Sequence, residues 1–293
     1  MKALRFAEFG PPDVMSVVET PAPNAGPGRI RIAVRAAGVS PADWKIRAGA
    51  APVPLPRIPG LDAAGIVDQV GEDVHGYQVG DEVFGIAPGG ACAEHAVLTH
   101  FAHKPPAMSW PEAAGLPSAA EAALRAIEAL RPAAGDVLLI HGAAGGIGQA
   151  AAQFARARGV LVAGVAAPEH HDRLRALGVA PVAFGPALAD RLHTLVPDGI
   201  DCVFDTSGTV TDELLALAGA PDRLVTVAPP GATGALHLSE SPRRAWHALP
   251  EAAGLFERGD FHLPIAHTFP LTQASEAHRL GESGGDHLAL LLD

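Results

Sequence analysis

The chain has 293 residues, 48% hydrophobic and 18% charged, enough for two domains of ordinary size with substantial cores. Acidic residues outnumber basic ones by 32 to 21, and the formal charge of -11 excludes nucleic acid as an expected partner, because phosphate binding needs a basic face. No stretch approaches the roughly 18 apolar residues of a membrane span, so no membrane partner is expected either.

In chain order, MKALRFAEFG lacks the apolar core of a signal peptide and alternates like a strand. Further strand candidates are 30–37, 65–70, 82–86 and 93–98, punctuated by glycines and prolines as in a barrel-like β domain. The texture changes at Ser109-Trp110-Pro111-Glu112, a helix start with an early proline and an acid in its first turn. Helix and strand then alternate. Strands are expected at 137–140, 160–165, 182–184, 200–205 and 223–228, with helices at 169–177 and 212–218. Such alternation makes right-handed crossovers and a doubly wound parallel sheet. After Pro250 come a helix, a β element at 267–270, a helix at 273–282 and a strand at 288–292. Cys92 and Cys202 lie in separate apolar segments and are expected to be buried, reduced and inert, which suits the cytoplasm.

Residues 135–156, GDVLLIHGAAGGIGQAAAQFAR, carry the most chemistry. The apolar run Val137-Leu138-Leu139-Ile140 reads as a buried parallel strand. It feeds Gly142-Ala143-Ala144-Gly145-Gly146-Ile147-Gly148 and then a helical segment. A strand, a glycine turn and a helix start in that order cradle a dinucleotide pyrophosphate on bare amides at the positive end of the helix. Gly145 allows close approach, and Gly148 allows the helix to pack on the strand. Ala143 replaces the first glycine of G-x-G-x-x-G, so the turn there must tolerate a Cβ.

These residues resemble a known family. Gly135-Asp136, Leu139, Ala143-Ala144-Gly145-Gly146, Gly148, Gln153 and Arg156 fall at the spacing of the quinone oxidoreductase/zeta-crystallin signature, within the medium-chain dehydrogenase/reductase superfamily. The resemblance extends through 36–45 (AAGVSPADWK), 58–65 (IPGLDAAG) and 79–85 (VGDEVFG), covering nearly the whole chain in order. It implies an α/β protein. A GroES-like β domain, residues 1–115 plus 250–293, would accompany a Rossmann-type nucleotide-binding domain, residues 116–249. Their cleft would hold NADPH and a quinone or an α,β-unsaturated carbonyl (an enone).

The resemblance also frames the site. The zinc-dependent branch places a cysteine where this chain has Ser40 and a Gly-His-Glu motif where it has Gly60-Leu61-Asp62, so no metal is expected. The second strand of the sheet ends at Ala166 without the carboxylate of an NAD-specific site. His170 stands where relatives often carry a phosphate-binding lysine, with Arg173 nearby, which favours NADPH over NADH. Alternatively, His170 and Arg173 are merely solvated, or Glu169 swings to the ribose and favours NADH. The usual serine and tyrosine at this phosphate are replaced by Ala166 and Phe184, and a threonine near the nicotinamide by Ala122.

Further cofactor contacts are expected from Ser118, Thr206, Ser207, Val227 and Ala228 at strand and helix ends. On the acceptor side, Lys45 would donate to the developing enolate, Asp43 would orient Lys45, and Ser40 would bind substrate or ribose. Trp44 would wall the pocket, and Asp62 would bond cleft backbone. The competing reading has Asp43 and Lys45 pairing at a helix start, Trp44 filling core and Asp62 purely structural. The function implied is zinc-independent hydride transfer from NADPH to a quinone or enone. The alternatives are a non-catalytic NADPH-binding protein of zeta-crystallin type and a non-redox biosynthetic enzyme on the same fold. The segment 231–241 is short, as though a strand and helix at the sheet edge were missing, so a homodimer formed through that edge would be weakened.

Overall fold

The computed structural model describes residues 1–229, 234–241, 243–285 and 287–292. They form two compact units, Met1–Ser118 with Leu249–Asp293, and Ala119–Ala248.

The first unit opens with β1 (Lys2–Phe6) and β2 (Met15–Glu19), an antiparallel pair. β3 (Ile30–Val39), α1 (Pro41–Arg47), β4 (Asp62–Val70), β5 (Glu82–Ile86), β6 (His95–Leu98), β7 (His100–His103) and α2 (Trp110–Gly115) follow. Ser109 caps α2 by accepting from the Glu112 amide, so the helix start legible in the sequence is formed as expected. The second unit contains α3 (Pro117–Leu130, from Ala119 onward), β8 (Val137–His141), α4 (Gly146–Ala157), β9 (Leu161–Ala166), α5 (His171–Ala176) and β10 (Ala180–Ala183). It continues with α6 (Leu188–Leu195), β11 (Cys202–Asp205), α7 (Asp212–Ala218), β12 (Leu224–Thr226) and β13 (Leu236–His237). The chain closes with α8 (Ala248–Glu257), β14 (His267–Pro270), α9 (Ala274–Glu282) and β15 (Leu288–Leu291).

A seven-stranded sheet organises the first unit in the order β14-β15-β3-β4-β5-β7, with β6 also pairing with β3. β15 runs antiparallel to the end of β3, Leu288 opposite Val39, so the last strand of the chain completes a sheet begun by the third. Alternate residues of β3 (Ile30, Ile32, Val34) join Leu4, Phe6, Val67, Val83 and Leu290 in the core. Two strands of this unit are illegible in the sequence. β2 buries only its first residue and shows no alternation, and β7 is half histidine.

In the second unit six parallel strands run β10-β9-β8-β11-β12-β13, the third-second-first-fourth-fifth-sixth order of a dinucleotide-binding sheet. The order reverses between β8 and β11, and ligands of such sheets bind outside the strand ends at that point. The sixth strand, which the short segment 231–241 argues against, is present as two residues that pair Leu236 with Val225 and His237 with Thr226. Residues 231–233 of that segment lie outside the described ones. α6 follows a left-handed Ala187 with φ 60° and has no side-chain cap, so nothing in the sequence announces it. Among the described residues no helix is long and apolar enough to cross a membrane.

Candidate functional site

The glycine turn is built by close backbone packing. Val137, Leu138, Leu139 and Ile140 are all buried, as a central parallel strand requires. Gly142 has φ +85°, and a Cβ there would lie 2.5 Å from Thr206 Oγ1. That hydroxyl donates to the carbonyls of His141 and Gly142, both at 2.9 Å. A Cβ on Gly148 would fall 2.6 Å from the Gly142 oxygen and 2.7 Å from Ala143 Cα, so α4 packs on the turn only because that residue is glycine. Ala143 is accommodated by the neighbouring strand. A Cβ on Gly164 of β9 would sit 2.8 Å from the Ala143 methyl, so β9 supplies the missing space.

The helix end that follows suits an anion. Gly145 precedes α4 and has no side chain to cap it, so the amides of Gly146, Ile147 and Gly148 lack intrahelical acceptors. A Cβ on Gly145 would meet only the Gly142 oxygen, at 3.7 Å, so the space before these amides is open. The Ala144 carbonyl is drawn aside by Gln149 Nε2 at 2.5 Å and by an Arg173 guanidinium nitrogen at 2.7 Å. Arg173 is thereby placed at the turn itself. His170 is half-buried in a short 3-10 turn after Ala166, and His171 contacts the Ala166 carbonyl at 3.2 Å. Phe184, just beyond β10, is exposed. The cradle, the open approach and the cation together fit a dinucleotide diphosphate.

The strand ends beside this turn are polar. Asp205 is fully buried at the end of β11 and accepts from His141 Nδ1, Ser207 Oγ and the Ser207 amide at 3.1, 2.7 and 3.0 Å, and from Thr226 Oγ1 at 2.6 Å. Burial opposes its ionisation, but the hydrogen bonds from His141, Thr226 and Ser207 prevail and hold its carboxyl below the usual range. The Val227 amide donates to the Asp205 carbonyl, and the Ala228 amide to Thr226 Oγ1. Thr206, Ser207, Val227 and Ala228 are thus gathered at the strand ends named from the sequence. His141, Asp205 and Thr226 are not legible as a group. Their signal is a polar last residue on each of three apolar strands, VLLIH, CVFD and LVT.

In the first unit, Asp43 is buried and accepts from the Ser40 amide and hydroxyl, both at 2.8 Å, and from the Gly60 amide at 3.1 Å. Asp43 therefore does not orient Lys45, contrary to expectation, because Ser40 and Gly60 occupy its oxygens. Nor does it pair with Lys45, whose side chain is exposed. Trp44 packs its ring over Gly281 of α9, where a Cβ would fall 2.5 Å from it, and joins the core. Asp62 accepts from Ser118 Oγ at 2.5 Å and from the Ser118 amide at 3.2 Å, so the hydroxyl of Ser118 is held by a carboxylate. Burial raises the Asp62 carboxyl to about 7; the Ser118 hydroxyl works against this, and the neighbouring Asp43 carboxylate adds to it. Burial also raises Asp43. Behind them Cys92 packs on Gly60, which has φ +87° and whose Cβ would meet Sγ at 2.7 Å.

Residues 26–116 match the alcohol dehydrogenase GroES-like domain. Over 315 residues the chain is 30% identical to a quinone oxidoreductase of Pseudomonas aeruginosa, covering 94% of each. It is 33% identical over 302 residues to the spectinabilin polyketide synthase system protein NorB of Streptomyces orinoci, spanning 94% of this chain and 14% of that much longer protein. Among solved structures, the quinone oxidoreductase from Coxiella burnetii superposes with a TM-score of 0.81 at 28% identity, covering 100% of this chain and 99% of the other. Full-length similarity, the domain match and the strand order agree: the chain belongs to the quinone oxidoreductase-like family of the medium-chain dehydrogenase/reductase superfamily.

Proposed function

We propose that the chain is an NADPH-dependent, zinc-independent reductase of quinones or α,β-unsaturated carbonyls. One observation carries the proposal: the uncapped amides of 146–148, open before Gly145 and flanked by Arg173. The bound cofactor would supply a hydride from its nicotinamide to an electron-poor carbon of the acceptor. The helix amides would hold the diphosphate. Arg173 would favour the 2′-phosphate, and Ala166 offers no carboxylate to repel it. Asp43 and Ser40 fix the turn that carries Lys45, whose exposed ammonium would protonate the reduced oxygen. Zinc independence rests on residue types. Ser40 and Leu61 are poor ligands, and Asp43 and Asp62 are already hydrogen-bonded to their neighbours. The similarity to the quinone oxidoreductase of Pseudomonas aeruginosa, over 94% of its length, supports the acceptor class.

The test follows coenzyme oxidation with a panel of quinones and enones, NADPH against NADH, in metal-free buffer. Turnover that favours NADPH and falls at least tenfold in Lys45→Met is expected. Tight NADPH binding without turnover would instead favour a binding protein. No binding of either coenzyme would overturn the reading.

A further inference from the structure

Parallel strands covered on both faces are normally apolar throughout, and this sheet is apolar except along one row. Direct register places His141 beside Asp205, Asp205 beside Thr226 and Thr226 beside His237, so four polar side chains share one face across four strands. The row lies at the strand ends, and its His141–Asp205 pair flanks the reversal of strand order. A buried polar row costs free energy that packing would not incur, which points to a role in binding.

We propose that His141 is a dinucleotide-binding residue whose imidazole becomes charged on binding, held between Asp205 and the ligand's diphosphate. The inference rests on the cofactor reading above. Nδ1 lies 3.1 Å from both Asp205 Oδ1 and Ser207 Oγ; the Ser207 hydroxyl gives its proton to Asp205, so both oxygens accept from Nδ1 and Nε2 is the nitrogen left for a ligand. Nε2 has no protein partner among the described residues, and the side chain is 20% exposed. His141 precedes Gly142 directly, so its ring is anchored beside the diphosphate cradle. With a carboxylate on one side and a diphosphate arriving on the other, the imidazole gains a second anion and takes up a proton.

The other charged groups around it are accounted for. On β9 the register partner Val165 carries no charge. α5 contributes Arg173 at the Ala144 carbonyl, His171 at the Ala166 carbonyl and the mutually paired Asp172 and Arg175, with Glu169 and His170 in the turn before it. α4 carries Arg156 in its last turn, bonded to Leu177. Arginines stay protonated throughout, so only the histidines compete as proton acceptors.

The experiment is calorimetric titration of the full chain with NADPH, and with NADH, which lacks the titrating 2′-phosphate, in buffers of differing ionisation enthalpy across the imidazole range. Binding is expected to take up a measurable part of one proton, largest where free and bound forms differ most in charge. Kd is expected to rise by up to about tenfold per pH unit above that range. In His141→Gln the uptake should vanish and affinity at the acid end should fall about tenfold, with His171→Gln behaving like the unmutated chain. Asp205→Asn should also abolish uptake, and an unchanged melting temperature in His141→Gln keeps the result readable if Asp205→Asn does not fold. Undiminished uptake or affinity in His141→Gln would overturn this proposal alone, and a loss equal at every pH would overturn the charged form. If the unmutated chain binds neither coenzyme, the functional reading falls and this proposal with it.

Discussion

Asp62 and His278 should titrate against each other in the stability of the first unit. Burial holds Asp62 protonated up to about 7, whereas its ordinary value is 3.8. Between those values the folded chain keeps a proton that the unfolded chain has lost, so stability falls as pH rises. At about 1.4 kcal/mol per pH unit the loss reaches about 4 kcal/mol. His278 behaves oppositely. It is buried on α9 with neither ring nitrogen hydrogen-bonded, and burial, aided by Arg47, lowers it from 6.5 to about 4. Below 6.5 the unfolded chain takes a proton that the folded chain refuses, so stability falls with falling pH, by about 3 kcal/mol in all. Over the shared window the two slopes cancel. In Asp62→Asn stability should therefore rise with pH across it, and in His278→Leu it should fall. Urea unfolding followed by tryptophan fluorescence at stepped pH reads this directly, because Trp44 and Trp110 lie in the same unit as both residues. A difference between Asp62→Asn and the unmutated chain that stays constant with pH would refute the reasoning.

Gly148→Ala puts a methyl within 2.7 Å of two backbone atoms of the turn, so it should cost about 1–3 kcal/mol and, on the function proposed above, weaken coenzyme binding more than tenfold, checked by melting and fluorescence titration. Both cysteines are buried, with burial raising Cys92 well above its usual value and Cys202 to about 12, so the native chain should label with a thiol reagent only as fast as it unfolds.

The fold was legible where local chemistry and global topology agree. The apolar run 137–140, the glycines after it and the capped start at Ser109 each read correctly because their conformations are set by neighbours in sequence. What stayed hidden depends on register or on distant partners. The His141–Asp205–Thr226 row exists only once strands 60 or more and 20 or more residues apart are aligned. Lys45 reads as the partner of Asp43 by proximity in sequence, yet Gly60, on another segment, takes that carboxylate together with Ser40. Trp44 reads as pocket wall or core filler alike until Gly281, near the far end of the chain, appears beneath its ring.

Relocating one small residue from the turn to the adjacent strand has a consequence for the second unit. Gly164 lies outside the turn, yet it governs how deeply the 142–148 loop can settle, because the methyl of Ala143 rests where a side chain on β9 would stand. The loop's shape is thus encoded jointly by positions 21 residues apart. A side chain introduced at Gly164 would therefore displace the 142–148 turn from a position that is not part of it.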